Sequence, residues 1–200
     1  MKAKTPVPRD AETPAKGSTR SAGARGRAGS VGSIRTVTEL MSYAYALEAE
    51  AAERYAEFAE IMAGHNNQEV AELFRKLARI EHKHSEQILE EMGWVSPPKP
   101  PSAGYRWQGL EGPESSDVTE LHYLMQPWHA LQIALQNEKR AEEFFAALAR
   151  NATVASVREA AARFCKDEAE HVRLIEAWLA RTPKPTENWA LDPDPPSHID

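Results

Sequence analysis

The sequence has one cysteine, Cys165, in 200 residues. An internal disulfide is therefore excluded, and so is any cysteine-clustered zinc or iron–sulfur site. No run of eighteen apolar residues occurs, so neither a transmembrane helix nor a membrane partner is expected. No apolar h-region lies near the start, so no secretory signal is expected and a cytoplasmic location is the expectation. Large apolar residues are nearly missing from residues 1–35, as in "KGSTRSAGARGRAGSVGS". This stretch reads as a disordered basic tail; Asp10, Glu12 and the early prolines weigh against a transit peptide. Charge is split along the chain. Residues 1–35 hold eight Lys/Arg against two acids, a balance of +6, while the rest holds sixteen against twenty-eight, or −12. Nucleic-acid binding does not fit the acidic body, which suits cations better.

The sequence does contain long amphipathic segments. "TVTELMSYAYALEAEAAERYAEFAEIMAG" reads as a helix, with Thr38 as a candidate cap and Gly64 near its end. Its inward stripe is Leu40, Ala44, Glu48, Ala51, Tyr55, Phe58 and Met62. A second helix spans about 67–92 and stops at Gly93, and the short link "GHNN" makes the two antiparallel neighbours. Two more follow at about 127–151 and 154–181, ended by Pro183 and Pro185. The 42% hydrophobic content is enough for one core, so the expected fold is all-α. Residues 36–181 form a four-helix bundle of two antiparallel pairs joined by a long crossover at 94–126. The crossover is rich in Pro and Gly yet carries Trp94, Tyr105 and Trp107. A connection this long is uncommon without a role, and its aromatics predict packing along the bundle. Residues 182–200 read as an extended, Pro-rich acidic tail.

The two helix pairs repeat each other. "LEAEAAERYAEFA" at 47–59 aligns with "NEKRAEEFFAALA" at 137–149, and "VAELFRKLARIEHKH" at 70–84 with "VREAAARFCKDEAEH" at 157–171. Glu48 then falls on Glu138, Glu81 on Glu168 and His84 on His171. All six sit on or beside apolar stripes, where an uncompensated charge is costly. Residues three apart share one helix face, so each Glu-x-x-His can reach a single metal ion. Two such helices, with one further glutamate from each hairpin, can hold two metals bridged by carboxylates. Oxygen and imidazole donors suit iron or manganese. The bland alternative is a plain bundle whose Glu and His face water, but the duplication of the whole pattern argues against chance. His82, His65, His122 and His129 fall outside the repeat, and Glu50, Glu53 and Glu143 read as solvated. Glu142 is a candidate neighbour of the site. Tyr55 is a candidate partner for a ligand carboxylate, a role closed to Phe145.

With these motifs, residues 36–181 resemble a rubrerythrin of the ferritin-like superfamily, the first helix pair more closely than the second. The resemblance implies a ferritin-like bundle, two iron ions per site, and a homodimer or larger homo-oligomer. It implies Glu48 and Glu138 as terminal ligands, Glu81 and Glu168 as bridges, and His84 and His171 bound to one iron each. It also implies oxidation of ferrous iron coupled to reduction of hydrogen peroxide or dioxygen, in oxidative-stress defence. Two departures are visible. Rubrerythrins usually carry paired cysteines in a rubredoxin domain; with Cys165 alone, an external electron donor is expected. The family also has a further glutamate one turn from the first ligand of helix three, where this sequence has Leu135 and Ala141. Six ligands are closer to the symmetric set of other ferritin-like proteins. Ferroxidase activity for iron storage or detoxification, a di-iron hydroxylase, and a non-enzymatic bundle are the competing readings.

Overall fold

The computed structural model describes residues 34–101, 104–105, 107, 112–114 and 116–192. The basic tail through residue 33 and the end of the acidic tail from 193 lie outside them. Four helices account for most of the described chain: α1 Val37–Gly64, α2 Gln68–Met92, α3 Pro127–Asn151 and α4 Ala155–Leu179. α1 and α2 form one hairpin and α3 and α4 the other, with α1 also packed on α4 and α2 on α3. This is the ferritin-like four-helix bundle of two antiparallel pairs joined by a long crossover.

Local signals set the helix ends. Thr36, rather than Thr38, caps α1. Its hydroxyl accepts the Glu39 amide at 3.0 Å, and the Glu39 carboxylate accepts the Arg35 amide at 2.9 Å. Thr36 thus caps the helix through its hydroxyl, and Glu39 reaches back to Arg35, the residue before the cap. Asn67 caps α2 through the Val70 amide. Gly93 closes α2 in the left-handed region at φ 63°, where a side chain is disfavoured. Pro127 starts α3, where its missing N–H costs nothing. α4 ends at Leu179, two residues before the sequence expectation.

The described parts of the crossover touch α1, α3 and the start of α2. Near its start, Tyr105 and Trp107 pack edge-on against Tyr43 of α1, at 5.0 and 5.2 Å between ring centres. Trp107 also meets Phe144 of α3 at 5.6 Å. In its middle, Ser116 donates to Asn137 of α3 at 2.7 Å. At its end, Asn67 holds the Tyr123 and Met125 carbonyls. The 182–192 segment is not simply extended. It turns at 187–190 and sets Trp189 against His129 and His122, 3.9 and 5.1 Å between ring centres. A large apolar ring gains by leaving water, and these imidazoles offer the surface.

The buried apolar residues fall into two clusters. One takes in Leu47, Ile88, Ala141 and Phe164; the other takes in Ala51, Leu77, Ala134 and Ile175. Every helix passes from one cluster to the other, and at each crossing it carries a glutamate.

Candidate metal centre

The layer between the clusters is acidic. Glu48, Glu81, Glu138 and Glu168 are each 5% exposed or less. His84 and His171, one turn after Glu81 and Glu168, are half-buried. Two triads result: Glu48, Glu81 and His84, and Glu138, Glu168 and His171. In each triad the ligand-type atoms lie within 4.8 Å of one another. His84 Nδ1 is 3.1 Å from Glu81 and 3.5 Å from Glu48; His171 Nδ1 is 3.1 Å from Glu168 and 3.3 Å from Glu138. The imidazoles stack across the helix pairs, 4.5 Å between centres and 6° from parallel. The structure thus brings together all six residues singled out by the repeat.

The electrostatics are those of a cation site. Burial would lower the pKa of each histidine, but the facing carboxylates reverse this. Glu48 and Glu81 hold His84 up at about 10; Glu138 and Glu168 hold His171 up at about 11. Burial raises Glu138 to about 7, aided by Glu81 and Glu168 and opposed by His171. Burial also drives Glu48 well above the ordinary carboxylate range. Glu48 Oε2 and Glu138 Oε2 approach the imidazoles at ion-pair distance but receive no hydrogen bond among the described residues. Buried carboxylate oxygens left without donors, facing imidazole nitrogens, fit metal coordination. Four carboxylates also balance the charge of two divalent ions. The donor set therefore suits a pair of iron or manganese ions.

Tyr55 is fully buried, but its described partner is not a ligand carboxylate. Its hydroxyl accepts from Asn137 Nδ2 at 3.0 Å. Asn137 precedes Glu138 and also accepts from Ser116 and Arg140, so the hydroxyl meets an amide before it meets an acid. Burial, then the charges of Glu138, Glu81 and Glu114, raise the phenol and keep it protonated.

Sequence reasoning missed Glu114. It comes from the crossover, belongs to no repeat, and is 3% exposed. Burial, followed by the charges of Glu48, Glu168, Glu138 and Glu81, lifts it well above its ordinary range. The remaining candidates stand apart. His82 is exposed beside Glu86. Glu142 is half-buried, and with burial it raises the Cys165 thiol. His122 and His129 accept the Leu124 and Gln126 amides. Glu53 and Glu143 are exposed and Glu50 is half-buried.

A cleft of about 240 Å³ opens onto the layer from the side of α2 and α4. His84 and His171 line it, with Gln87, Asp167 and Glu170 toward solvent. No described helix is long and apolar enough to cross a membrane.

An uncharacterised conserved protein from Magnetospirillum magnetotacticum MS-1, solved by crystallography, is 39% identical to this chain. The match covers 76% of this chain and 99% of the other, with a TM-score of 0.55. No curated protein matches significantly. Residues 39–179, which hold all four helices' ligand-type residues, match the rubrerythrin family, and the chain belongs to that family.

Proposed function

We propose that this protein is a binuclear iron oxidoreductase that reduces hydrogen peroxide, or dioxygen, at the centre formed by Glu48, Glu81, His84, Glu138, Glu168 and His171. The observation that carries the proposal is the pair of buried Glu-Glu-His triads, joined through stacked imidazoles. A bound iron pair would supply the redox equivalents. Reduction of hydrogen peroxide to two waters takes two electrons, which the iron pair would supply, and two protons. The chain's own part is to hold the ions by hard oxygen and imidazole donors in a buried layer. The cleft is smaller than the roughly 300–1,000 Å³ usual for organic ligands, which favours a small oxidant over a hydroxylation substrate. Electrons would come from a separate donor protein, and the cytoplasm is the compartment that fits.

The test is metal analysis followed by stopped-flow oxidation. Wild type should hold two irons per chain, and the Glu81→Ala/His84→Ala double variant close to none. The diferrous protein should be oxidised faster by peroxide than by oxygen; a faster reaction with oxygen and little with peroxide would sink the peroxidase reading. The acidic mouth at Asp167 and Glu170 favours a second reading, ferroxidase activity on incoming ferrous ions. That reading requires many irons oxidised per chain, with mineral or ferric product released.

A further inference from the structure

The six-residue centre leaves one buried acid without a role. Glu114 lies in a crossover segment fastened to the bundle on both sides of it. Two residues earlier, Gly112 is pressed against α1 so closely that a Cβ there would lie 2.7 Å from Glu50 Oε2, two residues past Glu48. Two residues later, the Ser116 hydroxyl is bound to Asn137, the residue before Glu138. The chain is thus pinned beside one ligand-type glutamate on α1 and beside another on α3. Between these anchors the Glu114 side chain is buried, and its Oε2 has no hydrogen-bond donor among the described residues.

In its charged form a carboxylate in that position needs a cation; without one, burial keeps it protonated. Leaving a buried charge unpaired is costly, and the four acids of the centre all act on Glu114 with the same sign. Lys and Arg would be the ordinary solution, but none among the described residues is hydrogen-bonded to Oε2. An exposed surface would be another, but the residue is 3% exposed. The imidazoles are held by their own triads and Arg140 by Ser116 and Asn137, which leaves the two ions of the centre to supply positive charge.

We propose that Glu114 is a seventh protein ligand of the metal pair, delivered by the crossover. This rests on the two-metal reading above. Glu114 belongs to neither triad; it comes from the crossover, whose anchors on either side of it are on α1 and α3, whereas the imidazoles stand on α2 and α4. Its chemistry is that of a hard anionic oxygen donor, which suits the ferric state more than the ferrous. Four carboxylates already balance two divalent ions; oxidation of both ions adds two positive charges, and a fifth carboxylate offsets one of them.

The experiment compares wild type with Glu114→Gln, which keeps the shape and removes the charge, and with Glu114→Asp, which keeps the charge and shortens the reach. Cobalt(II) is titrated into the metal-free full-length proteins, following stoichiometry, affinity and the visible d–d absorption. Thermal unfolding is recorded with and without metal. For Glu114→Gln, binding of at least one ion should weaken about tenfold or more, the size seen when supporting groups around metals are lost. The cobalt spectrum should change, and the iron midpoint potential should move positive. The metal-free Glu114→Gln protein should be at least as stable as metal-free wild type, because a buried uncompensated acid is gone. Glu114→Asp should fall between the two. Unchanged affinity and spectrum in Glu114→Gln would overturn the proposal. Equal loss of stability with and without metal would also overturn it, since that marks a purely structural residue. If wild type itself binds fewer than two ions, the two-metal reading fails instead.

Discussion

In the proposed centre a metal would compete with the proton for an imidazole nitrogen of His84 and of His171. Without metal the carboxylates keep each imidazole protonated, with pKa values of about 10 and 11. Loading must therefore expel those protons at pH 7, along with part of one from Glu138, whose pKa is about 7. Two or more protons should leave per chain as two divalent ions bind, measured by calorimetry in buffers of different ionisation enthalpy. Release of fewer than one would mean that the histidines are not ligands. The sign for stability follows from the same shifts. A histidine raised above its unfolded value near 6.5 stabilises the metal-free fold below that pH, and this is lost as pH rises through about 10 to 11. Glu138, raised from 4.5, likewise contributes most at low pH, and its share is lost as pH rises through about 7. Metal affinity moves the other way, rising about a hundredfold per pH unit where two protons are displaced. The gap in melting temperature between loaded and metal-free protein should accordingly widen from pH 5 to pH 8.

Among the elements, the crossover does the least expected work. Its middle is held by Asn137, which is fully buried and joins Ser116, Tyr55 and Arg140. Asn137→Ala should cost the metal-free protein about 2–3 kcal/mol in denaturant unfolding, because the Ser116 and Tyr55 hydroxyls lose a buried partner. It should also weaken metal binding, since Ser116 anchors the segment that carries Glu114. A cost confined to stability, with metal affinity intact, would separate the crossover from the site. The helices were legible in the sequence because a 3.6-residue period survives any change of context. The six ligand-type residues were legible because they break that period at matching places in two copies. Glu114 has neither signal. The crossover has no period and no second copy, so nothing in "LEGPESSD" distinguishes a buried glutamate from a solvated one. The one local hint is its setting, a glycine and a proline just before it and Trp107 upstream, in a loop with reason to lie close to the bundle. Asn137 was hidden for another reason: its partners come from three separate elements, and hydrogen bonds between distant segments leave no mark on local spacing. Thr36 was misread as Thr38 because the apolar pattern starts at Val37 and says little about which hydroxyl before Leu40 meets the Glu39 amide.

For the whole molecule, the acidic layer is a fault line. It separates two apolar clusters that would otherwise form one continuous core, and it gathers five buried glutamates against two histidines. Even with both imidazoles charged, ionised acids would be left in excess, and some must stay protonated in the metal-free fold. In the proposed centre two divalent ions would remove that conflict and tie all four helices together, so metal and fold should be strongly linked. Each ion present at a hundred times its Kd adds about 2.7 kcal/mol, or roughly 5 kcal/mol for the pair. In a domain near 150 residues, 1 kcal/mol moves Tm by about 2–4 °C. Chelation should therefore lower Tm by about 10–20 °C, measured by calorimetry at pH 7 in matched buffers. The Glu81→Ala/His84→Ala protein supplies the complementary arm. Its Tm should not respond to metal, yet it should lie near that of metal-free wild type, because a buried acid and its imidazole leave together and the cavity they vacate offsets the relief. A chelator that leaves wild-type Tm unchanged would show that the acidic layer is stable on its own, and that the bundle does not need cations to hold its two clusters in register.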